Sequence, residues 1–178
     1  MAICAGKNSF IVPPDHGKSF WQPKPTGGYA TVKLTPGITG FDRYSVGFQV
    51  FEPGVNVKRH AHNENHELIF VFEGNGQVTI EGESYPLEPG SLALVGPKTF
   101  HHLENTGTRQ LKTMWVFSPP GLEHWFEAIG RQKNEGEPQP EPFDRPPGAY
   151  LSQNEIGIMR PEDHESPIRN SDSEPTSK

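Results

Sequence analysis

The sequence is short of the features that mark several protein classes. It has one cysteine, Cys4, which excludes an intrachain disulfide and a cysteine-rich structural zinc site. No apolar run approaches the roughly 18 residues of a membrane-spanning helix. The opening MAICAGKNSF has no apolar stretch long enough for a signal peptide. A soluble, cytoplasmic protein without a membrane partner is therefore expected. Basic clusters are also missing. The net charge is −6, and without a Lys/Arg patch nothing neutralises phosphates, so no nucleic-acid partner is expected. Apolar residues make up only 32% of the 178, too few for an architecture of long, broadly apolar helices.

Turn-forming residues are abundant instead. Glycine and proline number 19 each, a composition that suits short strands joined by tight turns. The chain alternates accordingly. Segments 29-YATVKL-34 and 44-YSVGFQVF-51 are rich in β-branched and aromatic residues, and TPG and EPG end them. Further strand-like segments are 57-VKRHAH-62, 67-ELIFVFEG-74, 77-QVTIEG-82, 91-SLALVG-96, 100-FHHLEN-105 and 111-LKTMWVF-117. Turn residues separate nearly every pair. Short strands at regular spacing predict an all-β antiparallel sandwich or barrel.

The flanks differ. Residues 1–28 read as an irregular N-terminal arm with SFIV and SFW as apolar anchors. In 121-GLEHWFEAIG-130, Leu122, Trp125, Phe126 and Ile129 recur at i, i+3, i+4 and i+7 before a glycine stop. That spacing predicts a two-turn amphipathic helix closing one sheet, so the barrel unit is placed at 29–130. Residues 131–148 read as a Pro/Glu-rich linker. Residues 149–164 regain apolar content and are expected to pack back on the barrel. Residues 165–178 are polar and expected to form a disordered tail.

The chemistry concentrates in 60-HAHNENHELIFVFEG-74. Five of the eight histidines lie between positions 60 and 102. Side chains alternate along a strand, so His60 and His62 project from one face with Cα atoms roughly 6.5 Å apart. Two imidazoles so placed can share one ion at about 2.0–2.1 Å each. A hairpin across NENH brings Glu67 beside them. Glu67, Ile69 and Val71 share a face, taken as the barrel interior. A His-x-His in a polar loop is by itself usually solvated surface. Here, however, a carboxylate opens an apolar strand, where burial costs several kcal/mol unless its charge is compensated, and a divalent cation supplies that compensation. Of the pair His101 and His102, parity with Leu103 favours His101 inside, while Phe100 pulls toward His102.

These residues resemble the cupin superfamily. Its first motif is matched by Gly54-VNVKR-His60-A-His62-NENH-Glu67-LIFVFE-Gly74, with every position filled. Its second is matched by Gly90-SLALV-Gly96-P-Lys98-TF-His101-HLE-Asn105, where Gly96 and Lys98 stand in place of the usual proline and glycine. The likeness spans about 50–117 and implies a double-stranded β-helix, or jelly roll. It also implies His101 as the fourth ligand and a homodimer paired through a sheet edge. The segment FSPPGLEHWFEAIG is loosely similar to the ending of single-domain cupins related to quercetin dioxygenases.

The expected site is then one divalent transition metal per chain, of Fe, Mn, Ni, Co, Cu or Zn type, held by His60, His62, Glu67 and His101. One or two positions stay open for water, O2 or an enolate-type small-molecule substrate. Glu67 is the expected catalytic base. Phe48, Val50, Ile69, Val78, Met114 and Trp115 are candidates for an apolar pocket wall; parity does not fix which face in. The resemblance favours a dioxygenase acting on a small aromatic or enolisable substrate. Alternatives are a metal-dependent isomerase, lyase or polyketide cyclase, and a non-catalytic small-molecule-binding protein.

Overall fold

The β-branched and aromatic runs fold as strands wherever glycine- and proline-rich turns bound them. The computed structural model describes residues 3–6, 9–149 and 156–161. In chain order the strands are β1 (Ile3–Gly6), β2 (Ser9–Ile11), β3 (Lys18–Trp21), β4 (Tyr29–Leu34), β5 (Ser45–Phe51), β6 (Ala61–His62) and β7 (His66–Glu73). They continue with β8 (Gly76–Ile80), β9 (Glu83–Leu87), β10 (Leu92–Val95), β11 (His101–Glu104), β12 (Leu111–Ser118), β13 (Arg131–Lys133) and β14 (Ile158–Met159). Helix α1 (Pro36–Thr39) follows β4, and helix α2 (Glu123–Ile129) follows β12.

A seven-stranded antiparallel sheet has the order β10-β7-β12-β5-β4-β3-β13, and a three-stranded sheet has the order β11-β8-β9. Between the two sheets lie the apolar side chains that alternation points inward. One cluster holds Phe51, Val71, Val78, Leu87, Leu103 and Leu111. The other holds Phe20, Val32, Trp115, Phe117, Leu122, Phe126 and Ile158. Each such fully buried side chain contributes about 1.5–3 kcal/mol. Helix α2 forms as its spacing predicts and buries Phe126 and Ile129. Glu123 in its first turn accepts hydrogen bonds from Ser45 Oγ at 2.7 Å and from the Gly121 N–H at 2.6 Å. This ties the helix to β5 and to the turn before it.

Several expectations need correction. The N-terminal arm is not irregular: β3 pairs with β4 in the main sheet, and β1 pairs with β2. Four residues are too few to show a period, yet Phe20 and Trp21 are buried. The linker begins as β13, an edge strand on β3. Strand β9 falls where a turn and loop were expected. Four of its five residues are exposed and it contains Pro86, tolerable because it lies at a sheet edge. In 57-VKRHAH-62 only the last two residues form a strand, which pairs with β14 rather than β7. That pairing brings Ile156, Ile158 and their neighbours back onto the barrel. The rest of 149–164, and the whole 165–178 tail, lie outside the described residues.

Candidate metal centre and its cavity

His60 and His101 face each other across a narrow bridge. The His60 N–H donates to the His101 carbonyl at 2.9 Å and the His101 N–H donates back at 2.8 Å. Residues paired in this way put their side chains on one face, and the two rings lie 4.4 Å apart between centroids. His62, on β6, has its ring 5.1 Å from each of them. Glu67 on β7 is clamped between Val95 of β10 and Phe117 of β12. Its Oε2 reaches to 3.1 Å from His101 Nε2 and 3.7 Å from His62 Nε2. One donor atom from each of His60, His62, Glu67 and His101 can be chosen so that all lie within 4.8 Å of one another. His102 lies on the other face of β11, and His66 is exposed.

Backbone carbonyls orient the rings. His60 Nδ1 donates to the Lys58 carbonyl at 2.9 Å, and His101 Nδ1 donates to the Thr99 carbonyl at 3.0 Å. In the neutral ring each bond fixes the proton on Nδ1 and leaves a lone pair on Nε2, the orientation a metal-binding histidine needs. His62 Nδ1 is buried without a partner. Burial, followed by the nearby His101 and His62 rings, holds the His60 imidazole well below its usual range. Burial pushes His62 down to about 4 against the opposing pull of Glu67. Burial would raise Glu67, but the hydrogen bond from His101 and the charges of both imidazoles outweigh it and lower its pKa. Burial would lower His101, but its bond to Glu67 prevails and raises it. The carboxylate is thus balanced by a proton on His101, and a divalent cation among the same atoms would replace that proton. Two neutral nitrogens, a third released by deprotonation and an anionic oxygen form a donor set that fits one transition ion.

The second motif departs from its family pattern at Lys98, and the backbone keeps the turn. Lys98 adopts φ +59°, the left-handed region that glycine occupies without cost. Its N–H donates to the His62 carbonyl at 2.7 Å. The turn that delivers His101 is thereby tied to the strand that delivers His62.

The cluster borders a cavity with an empty volume of about 880 Å³ including its open mouth. Ile69 and Trp115 line it, together with Phe51, Leu103, Phe117 and Phe126. Phe48, Val50 and Met114 do not line it. Met114 pairs with Phe48 across β12 and β5, and Phe48 meets Phe72 edge-on at 5.6 Å, so both lie on the outer face of the sheet. Val50 is buried but shares the parity of Phe48. Val78 is buried in the second core cluster, away from the cavity wall. The inward positions of β5 and β12 carry Gln49 and Thr113, polar residues that an apolar pattern passes over. Gly47 also faces in. A Cβ there would sit 2.1 Å from the Trp115 ring, so only glycine lets that ring lie flat on the sheet. The cavity also takes residues from outside the barrel proper: Gln22, Thr26, Trp125, Arg145 and Arg160.

Comparison with known proteins agrees with this geometry. Residues 47–117 match the family model described as "Cupin domain". The chain is 28% identical over 102 residues to polyketide synthase CurC of Streptomyces cyaneus, covering 55% of this chain and 66% of the relative. It is 28% identical over 105 residues to 5-nitrosalicylic acid 1,2-dioxygenase of a Bradyrhizobium species, covering 59% of this chain and 47% of the relative. The alignments therefore span less than two thirds of either relative. Among solved structures, a predicted oxalate decarboxylase from Thermotoga maritima superposes with a TM-score of 0.53 at 18% identity. That match covers 61% of this chain and 98% of the other and concerns the fold alone. Among the described residues no helix is long and apolar enough to cross a membrane.

Proposed function

We propose that this chain, a member of the cupin superfamily, is a mononuclear metal-dependent enzyme, a dioxygenase acting on a small aromatic or enolisable substrate. The observation that carries this is the convergence of three imidazoles and one carboxylate, all within 4.8 Å of one another, on a cavity with several aromatic side chains in its wall. His60, His62, Glu67 and His101 would hold one divalent transition ion, which would supply Lewis acidity and, if redox-active, a route for electrons to O2. The chain's own residues do the rest. Trp115, Phe117 and Phe126 present flat surfaces to a planar substrate. Glu67, 13% exposed, faces the substrate space from the floor of the cavity. Its Oε2 can take the proton of a substrate hydroxyl or of a carbon next to a carbonyl. The carbonyls of Lys58 and Thr99 hold two of the imidazoles fixed while that proton moves.

A second reading has its own support. CurC, a polyketide-pathway relative by its name, fits a metal-dependent cyclase, isomerase or lyase in which Glu67 moves protons and O2 is not consumed. The two are separated by elemental analysis of the purified protein followed by an oxygen-electrode screen with flavonols and β-diketones. About one transition metal per chain, with oxygen uptake, is the expected result. Turnover under strict anaerobiosis overturns the dioxygenase and leaves the cyclase class. Metal content near zero that divalent ions do not restore overturns both. The protein is further proposed to act as a homodimer, paired on the outer face where Leu92 and Leu94 are 62% and 64% exposed.

A further inference from the structure

Charge is distributed unevenly around the cavity. The whole chain carries −6, yet Lys58, Arg59, Arg145 and Arg160 all line this opening, and among the described residues Glu67 is the only acidic one that does. Cations gathered at an apolar cleft focus a positive potential into it. Arg59 is accounted for: it stacks on Phe100 and lies 3.9 Å from Glu81. Arg145 is not. It is half-buried, its guanidinium lies 5.2 Å over the Trp125 ring, and its Nε is buried with no hydrogen-bond partner. Among the described residues it pairs with no carboxylate. Its electrostatic neighbours are cationic or neutral: Arg160 on one side and His60 of the ligand cluster on the other. A desolvated guanidinium with an orphan N–H costs free energy unless an anion completes it.

We propose that Arg145 forms a carboxylate subsite, so that the substrate is a small aromatic acid. Its carboxylate lies against the Arg145 fork, its ring on Trp125 and Phe126, and its reacting oxygen toward the His/Glu cluster. Guanidinium suits this role because its planar fork matches a carboxylate with two parallel bonds. Arg145 comes from the segment after α2, outside the matched residues 47–117. The subsite would thus belong to this chain rather than to the barrel. The inference rests on the cavity being the substrate site proposed above.

The test uses the full-length protein as isolated, with metal content measured alongside. Benzoate and its neutral isostere benzamide are titrated by calorimetry. Benzoate should bind at least tenfold more tightly, equivalent to about 1.4 kcal/mol. Arg145→Gln should bring the two within about twofold, and Arg145→Lys should retain an intermediate preference. Neither should alter metal content or shift the melting temperature appreciably, which separates anion binding from a merely structural stack on Trp125. Equal affinities, or no saturable benzoate binding at millimolar concentrations, overturn the proposal. So does a preference that survives Arg145→Gln but vanishes in His62→Ala, since the carboxylate would then ride on the ligand cluster. An Arg145-dependent preference in protein that holds no metal upholds the subsite and removes the metal-enzyme reading instead.

Discussion

Replacing Glu67 with glutamine removes one charge and almost no volume. Glu67 Oε2 lies 3.1 Å from His101 Nε2. At an effective dielectric of about 20 the Coulomb attraction there is roughly 5 kcal/mol. Most of it is offset by the desolvation of two groups that are 13% and 2% exposed. Glutamine can still accept a hydrogen bond from His101, so the net loss is the difference between a charged and a neutral bond, about 1–2 kcal/mol. The metal-free variant should therefore fold but melt slightly lower. His101 should respond as well. Without the carboxylate, burial is the dominant influence left, and its imidazole should titrate below the ordinary range rather than above it.

The larger effect falls on metal binding. With free ion at 100 times Kd, the wild type should gain about 2.7 kcal/mol of stability on loading. Loss of the one anionic ligand should weaken binding at least tenfold, and at the same ion concentration the gain falls to about 1.4 kcal/mol. The assay is thermal unfolding with and without each candidate divalent ion, paired with elemental analysis and a histidine NMR titration. A Glu67→Gln variant with the wild-type metal-induced shift in Tm, and with an unmoved His101 titration, would refute the assignment of Glu67 as a ligand. Unchanged turnover in that variant would separately remove it as the base.

The metal-free protein should lose stability as pH falls below about 6.5. His62 titrates at about 4 in the folded state, below the ordinary imidazole value of about 6.5, so protons favour the unfolded chain in that window at a cost of about 3 kcal/mol at most. His60 adds to the same slope, and a His62→Gln variant whose Tm-versus-pH curve matches the wild type would contradict this. Lys98 is exposed at φ +59°, and relief of its left-handed strain outweighs the chain entropy that glycine adds, so Lys98→Gly should leave stability unchanged or raise it by up to about 1 kcal/mol. Denaturant melts showing a loss instead would mean that the lysine side chain holds the turn. Leu92→Glu with Leu94→Glu should convert a dimer to a monomer by light scattering while leaving metal content intact; a monomeric wild type would end the homodimer proposal.

The sequence made the barrel legible because its signals are local. A two-residue period bounded by glycine and proline identifies a strand whatever its partner, and β4, β5, β7 and β12 were all readable in that way. The His/Glu cluster was readable for a related reason, since His60, His62 and Glu67 lie within eight positions and only His101 had to be brought from afar. What escaped depends on pairing at long range. Strand β9 carries a proline and has four of its five residues exposed, and it pairs along the edge that β8 offers. The short β3 and β13 are held by each other and by β4. The pocket wall failed on parity. In β5 the apolar Phe48 and Val50 point outward, while the inward face carries Gly47, Gln49 and Phe51. A glycine and a glutamine are weak hydrophobic signals, yet the glycine is what admits the Trp115 ring.

The barrel and its termini divide the work in a way that bears on specificity. The residues that could hold an ion come from β6, β7, β11 and the bridge at His60, all within 47–117. The residues that narrow the opening come largely from elsewhere: Gln22 and Thr26 before the barrel, Trp125 and Phe126 on α2, Arg145 and Arg160 beyond it. Strand β14 joins the two groups physically, because Ile158 pairs with His62 in register and packs in the same core cluster as Trp115 and Phe126. A change in the terminal segments can therefore alter what enters the cavity without touching a metal ligand. A change near β14 reaches His62 through one backbone pairing. Relatives that share only the barrel would then be expected to differ in substrate. This matches the spread of named activities among proteins 28% identical to this chain.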